Sequence, residues 1–229
     1  MSEATLERGM NAFREQMNAP IASFFSSCVN CGMCAEACLF YTETGDPKYT
    51  PINKLEPLRR VWEQEFTLWG KLKSMLGLSE PVTDELLEEW EPLIYDACTL
   101  CGRCSMVCPV GNDVSYMIRH AREGFVAAGY SPEGMKGASR RAVTIGSPMG
   151  VKFPALAAQI KHVEADTGLK IPVDVEGVDY MALLSSMEIM NFPEYLEALS
   201  RIFKQAGVTW TISSEAFEAT NSGIQIGSS

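Results

Sequence analysis

The residues in this chain best suited to chemistry are its eight cysteines, which fall into two groups. The first reads CVNCGMCAEAC and holds Cys28, Cys31, Cys34 and Cys38. The second reads CTLCGRCSMVCP and holds Cys98, Cys101, Cys104 and Cys108, followed by Pro109. Both have the spacing C-x2-C-x2-C-x3-C, with a constant offset between counterparts, and no cysteine lies elsewhere. Three thiolates at two-residue intervals can wrap a short loop around three irons of one cubane cluster. The fourth sits three residues on, where the chain starts a helix and turns away, so it does not easily close the same cube. In two-cluster proteins with this run the fourth cysteine ligates the other cluster. Applied here, Cys28, Cys31, Cys34 and Cys108 hold one [4Fe–4S] cluster, and Cys98, Cys101, Cys104 and Cys38 hold a second. Folding and cluster binding are then coupled, because each cluster joins two distant segments.

Flanking residues fit this pattern. Pro109 has no N–H and a fixed φ, which ends the loop after its last ligand. The first group has Leu39 at the matching position, a departure that removes no ligand. Gly32 and Gly102 fall inside the loops, where a permissive backbone is needed. Structural zinc is the plain alternative, but it uses paired C-x2-C knuckles with four ligands per ion, which is a different arrangement. Disulfides suit small secreted domains, and this chain of 229 residues is neither small nor visibly secreted.

The elements that must position these cysteines are mostly helical. Leu6, Met10, Phe13 and Met17 give residues 2–18 one apolar face, with Pro20 as the stop. Gly45-Asp46-Pro47 is a turn. Residues 51–69 read as a helix with Leu55, Leu58, Trp62, Phe66 and Trp69 near one face. After a connection over residues 70–81, Thr83-Asp84-Glu85 starts another helix bearing Leu86, Leu87, Trp90, Leu93 and Ile94, which Pro92 kinks or breaks. Trp62, Trp69 and Trp90 are expected in the core. Residues 114–128 form an amphipathic helix with Met117, Ile118, Ala121 and Phe125 inward, Arg119, Arg122 and Glu123 on a solvated face, and His120 in a structural role. Gly and Pro punctuate residues 129–172, leaving room for a short helix over 153–164.

The tail changes character. Residues 178–184 read as a buried strand. Residues 193–205 read as a helix with Leu196, Leu199, Ile202 and Phe203 inward and Gly207 closing it. Residues 208–212 read as a second strand, which makes a βαβ unit. Asn221-Ser222-Gly223 is a turn. The expected class is mainly α: a helical domain over residues 1–130, a Gly/Pro-rich linker and docking segment over 131–172, and a small α/β appendage over 173–229.

Composition narrows the partners. With 46% hydrophobic residues the chain can build a core, and its net charge of −10 disfavours nucleic acid and anionic membrane. Apolar runs fall far short of the roughly 20 residues of a membrane helix. Met1–Gln16 lacks an apolar secretory core, so a cytoplasmic location is expected. No Ser/His/Asp arrangement, phosphate loop or flavin fingerprint is present, so no complete catalytic site is expected.

The two cysteine groups and the phrase YDACTLCGRCSMVCPVGNDVSYMIRHAREG resemble the C-type iron–sulfur subunit of heterodisulfide reductases. They also resemble the cluster domain of fused relatives in sulfur and lactate metabolism. The resemblance covers about residues 20–130 and matches all eight ligands. Residues 173–223 look like the opening of the catalytic domain of the fused enzymes, whose CCG motifs hold a noncubane cluster. No cysteine follows Cys108 here, so those motifs are absent. The resemblance implies an α-helical ferredoxin-like domain with two [4Fe–4S] clusters and a role as electron-transfer subunit, most closely as in the complexes of sulfur oxidisers. Implied partners are a CCG-containing B-type subunit and a flavin-bearing A-type subunit or other carrier. The alternative is the N-terminal part of a fused iron–sulfur disulfide reductase.

Overall fold

A computed structural model describes residues 3–218 together with Gly223, Ile226 and Gly227. Asn221 and Ser222, from the turn expected near the end, lie outside the described residues. The chain divides into two compact units, one within Met1–Glu133 and Gly223–Ser229, the other within Gly134–Ser222. No helix among the described residues is long and apolar enough to cross a membrane.

The first unit is helical. α1 (Glu3–Gln16) lays its apolar face on α9 (Val114–Ala127), where Phe13 is wholly buried and meets Phe125 edge to face at 5.9 Å. Two glycines permit this approach. A Cβ on Gly124 would lie 2.3 Å from the Phe13 ring, and one on Gly9 would lie 2.5 Å from Ala128 Cβ. α1 ends before Asn18, whose side chain accepts from the Ile21 N–H and starts α2 (Ala19–Ser27). Pro20 therefore opens a helix instead of ending one, as its missing N–H allows in a first turn.

The helix expected over residues 51–69 is three pieces. A 3-10 turn at Asn53–Leu55 leads into α5 (Glu56–Phe66), and Thr67 then breaks the chain before α6 (Leu68–Met75), its hydroxyl accepting from the Gly70 N–H. The break carries the apolar stripe away from the core. Leu58 and Val61 are buried, but Phe66 and Trp69 are 49% and 76% exposed, against expectation. Trp62 stacks on Phe25 at 5.4 Å, and Trp90 donates to the Asn53 carbonyl. α7 (Asp84–Tyr95), capped by Thr83, runs through Pro92 without ending, and Leu93, Ile94 and Tyr95 beyond it are buried.

Between these lie three short helices, α3 (Met33–Glu36), α4 (Leu39–Thr44) and α8 (Arg103–Met106).

The second unit holds α10 (Glu133–Ile145), α11 (Phe153–Thr167), β1 (Tyr180–Ala182), α12 (Ser186–Asn191), α13 (Glu194–Ala206) and β2 (Trp210–Ile212). The two strands pair in parallel, Met181 opposite Thr211, which gives the expected βαβ crossover. α11 extends the short helix expected over residues 153–164, whereas α10 is a helix where the sequence reads as irregular. Leu156, Ile160 and Val163 of α11 pack with Leu184, Ile189, Leu196, Trp210 and Ile212 in the core of this unit. The glycines stand at the ends of these helices or are tolerated within α10. β1 is shorter than expected and not buried: Tyr180 and Met181 are more than half exposed. Ile202 is also exposed, so it departs from the inward face of α13.

Candidate metal centres

Two loop-and-helix turns of one design carry the cysteines. In each, the residue before the second cysteine and the glycine after it are left-handed: Asn30 (φ 51°) and Gly32 (81°), Leu100 (55°) and Gly102 (74°). Glycine adopts this region freely and Asn tolerates it, whereas Leu100 is held there against a steric cost. The glycines open α3 and α8, which end after one turn. α3 packs against α8, so the two motifs meet.

This packing sorts the cysteines crosswise. Cys28, Cys31 and Cys34 line one cavity of about 290 Å³ together with Cys108. Cys98, Cys101 and Cys104 line another of about 240 Å³ together with Cys38. A single water needs only about 10–15 Å³ of such space, so each cavity has room for a polynuclear group. All eight cysteines are free thiols, with Cys31 and Cys101 exposed and the others half-buried. Among the described residues no three His, Cys, Asp or Glu side chains converge for a single metal ion.

Neighbouring hydrogen bonds hold the loops. Asn112, buried in the wall of the first cavity, donates to the Phe24 carbonyl (3.0 Å) and accepts from Ser27 Oγ (2.8 Å), which fixes the end of α2 against the second motif. Asp113 caps α9 by accepting from the Tyr116 N–H, and Oδ1 also accepts from Ser105 (2.7 Å) and Ser115 (2.8 Å). Burial works against the Asp113 carboxylate, but these hydrogen bonds outweigh it and leave its pKa below the ordinary value. Burial also raises the Cys34 thiol pKa, and burial with the nearby Cys98 pushes Cys104 to about 11. At neutral pH Cys104 therefore keeps its proton until a metal displaces it.

Two buried cations flank the second group. Lys54 is only 2% exposed; its ammonium donates to the Ala97 carbonyl, lies 3.6 Å from Cys38 Sγ and sits 5.0 Å over the Phe40 ring. It forms no ion pair with a carboxylate among the described residues. Arg122, expected on a solvated face of α9, is instead buried. Its guanidinium donates to the carbonyls of Ile94 (2.8 Å) and Cys98 (2.7 Å) and lies over the Tyr95 ring. A cation suits the C-terminal end of α7, where backbone carbonyls lack helical partners. Neither cation was recognised from the sequence, although both fall on apolar stripes: Lys54 at i, i+4, i+7 with Leu58 and Val61, and Arg122 between Ile118 and Phe125. His120 contacts Gln16 Oε1 and the Tyr116 ring and lines neither cavity.

The cavities fit an iron–sulfur cluster each by donor set, by size and, at the second, by charge. A buried ammonium without an anion costs several kcal/mol, and four thiolates around iron would supply that anion.

Comparisons with known proteins agree with this chemistry. Residues 25–112 match the family model of the 4Fe-4S dicluster domain. The chain is 28% identical over 228 residues to the Hdr-like menaquinol oxidoreductase iron-sulfur subunit of Archaeoglobus profundus, covering 93% of this chain and 41% of that protein. It is 27% identical over 220 residues to iron-sulfur subunit 2 of the Hdr-like menaquinol oxidoreductase of Archaeoglobus fulgidus, covering 91% and 40%. Over 113 residues it is 32% identical to the D-type subunit of the dihydromethanophenazine:CoB--CoM heterodisulfide reductase of Methanosarcina barkeri, covering 49% and 26%. The chain thus spans less than half the length of these relatives. No solved structure matches it. The matched dicluster domain and these relatives make the chain similar to heterodisulfide reductase-like iron–sulfur proteins.

Proposed function

We propose that this chain is the electron-transfer component of a heterodisulfide reductase-like oxidoreductase, holding two [4Fe–4S] clusters with crossed ligands. Cys28, Cys31, Cys34 and Cys108 hold the first cluster, and Cys98, Cys101, Cys104 and Cys38 hold the second. One observation carries this reading: the fourth cysteine of each group lines the cavity of the other group. When bound, the clusters supply one-electron carriers. The chain's own residues bind them, displace water and set their potentials through charge and hydrogen bonding.

The chain relays electrons between a CCG-type catalytic site and a flavin subunit or other carrier. Menaquinol and the CoB–CoM heterodisulfide, named for the relatives, are the electron donor and acceptor classes to test first. A place in sulfur metabolism belongs to this proposal through the sequence resemblance to the complexes of sulfur oxidisers. A second reading puts the catalytic site on the same polypeptide, as in a fused enzyme, and is supported by the greater length of the relatives. The mass of the native protein and the identity of copurifying CCG-containing subunits separate the two.

Iron and sulfide analysis with low-temperature electron paramagnetic resonance of the dithionite-reduced protein tests the cluster assignment. About eight irons per chain and interacting cubane signals are expected from two clusters. Zinc in place of iron, with no signal, would overturn it.

A further inference from the structure

The two cavities are matched in cysteines and unlike in charge. Of the side chains lining the second cavity, those of Lys54 and Arg103 are charged, and both are cations. Apart from its cysteines, the first cavity is lined by neutral residues, among them Asn30, Thr50, Asn53 and Asn112. Arg103 is exposed and screened by water, whereas Lys54 is sealed in, with its ammonium 3.6 Å from the sulfur of Cys38. Arg122 adds a second buried cation at the Cys98 carbonyl. The Asp113 carboxylate, which starts the helix that supplies Val114, Ser115 and Ile118 to this cavity, is engaged by the hydroxyls of Ser105 and Ser115 and the Tyr116 N–H.

A cluster gains one negative charge on reduction. A buried cation beside a sulfur ligand stabilises the reduced form more than the oxidised one, and so does a hydrogen bond to that sulfur. Little water is present around Lys54 to screen this effect.

We infer that Lys54 makes the cluster next to Cys38 the higher-potential cluster of the pair, so that an electron entering the chain rests at Cys98, Cys101, Cys104 and Cys38. The inference rests on the crossed assignment proposed above. Lys54 is a tuning residue: it acts on the potential through Cys38 and makes or breaks no bond.

The test is a redox titration of the iron-loaded full chain, followed by electron paramagnetic resonance, for wild type, Lys54→Met and Lys54→Arg. Iron content near eight per chain is checked first; its absence would count against the cluster reading itself, not against the role of Lys54. With both clusters present, Lys54→Met should weaken one of the two one-electron reductions at least tenfold, about 59 mV lower, and leave the other unchanged. Lys54→Arg should restore most of that loss. Equal shifts of both clusters, or none, would overturn the inference. A second measurement needs no variant. In wild-type protein carrying lysine labelled with 15N at Nζ, pulsed electron paramagnetic resonance at the one-electron level should show a 15N coupling. A coupling that appears only after the second electron would reverse the assignment.

Discussion

The crossed ligation can be tested without knowing which signal belongs to which cluster. Cys38→Ala leaves three thiols in the second cavity, and a [4Fe–4S] cube with an open corner is readily lost. The single variant should therefore fall from about eight irons per chain to about four. The informative variants are doubles. Cys38 shares its cavity with Cys101, so Cys38→Ala with Cys101→Ala removes two ligands from one cluster and should still retain about four irons. Cys31 lines the other cavity, so Cys38→Ala with Cys31→Ala strikes both clusters and should bring iron close to zero. Colorimetric iron and sulfide assays on anaerobically purified protein read all four samples. If the Cys38/Cys31 double kept about four irons while the Cys38/Cys101 double lost nearly all, each group would ligate its own cluster and the crossed reading would be wrong.

Further expectations concern the frame around the clusters. Gly124→Ala drives a methyl into the Phe13 ring and should destabilise by about 1–3 kcal/mol, more than helix propensity returns. Gly137→Ala meets only the flexible end of Arg141 and should stabilise by about 0.4–1 kcal/mol; calorimetry of both variants would show Tm shifts of opposite sign. Asp113→Ala removes a cap and should cost about 0.5–2 kcal/mol by chemical denaturation. The pKa of Asp113 is lowered in the fold, so its ionised form adds stability above the ordinary value of about 3.9, and this is lost as pH falls through the lower folded value. Asp113→Asn should therefore unfold more easily than wild type at neutral pH and match it in strong acid, as read by circular dichroism. Iron removal by chelator should lower the melting transition of the unit that carries the cysteines and the unpaired Lys54 charge. The cysteine-free unit within Gly134–Ser222 should melt unchanged, and a common shift of both transitions would contradict independent folding.

Much of the frame was legible in the sequence. Phe13 and Phe125 lie on regular apolar stripes, and both are buried. The βαβ order followed from two short apolar runs around an amphipathic helix. Other expectations failed where local signals competed. Thr67 offers its hydroxyl as a cap and starts a new helix, so Trp69, which continues the stripe on paper, points to solvent. Pro92 stays inside α7, with the residues on both sides held by core contacts. Pro20 marks a beginning because Asn18 supplies the cap before it.

The cysteine spacing alone determines which three thiols share a loop, because neighbours two residues apart cannot separate far. It points to iron–sulfur chemistry and to the cysteine sulfurs as the proposed donors. The general rule for two-cluster proteins already assigns Cys38 and Cys108 crosswise, but the cavities they line form only where α3 meets α8 in the tertiary structure. The burial of Lys54 and Arg122 is likewise decided only there. Charged residues are ordinarily placed at the surface because burial without a partner is unfavourable. Here the partners are carbonyls and a cysteine sulfur from segments 16 to 43 residues away, and such partners come within reach only when the helices have packed.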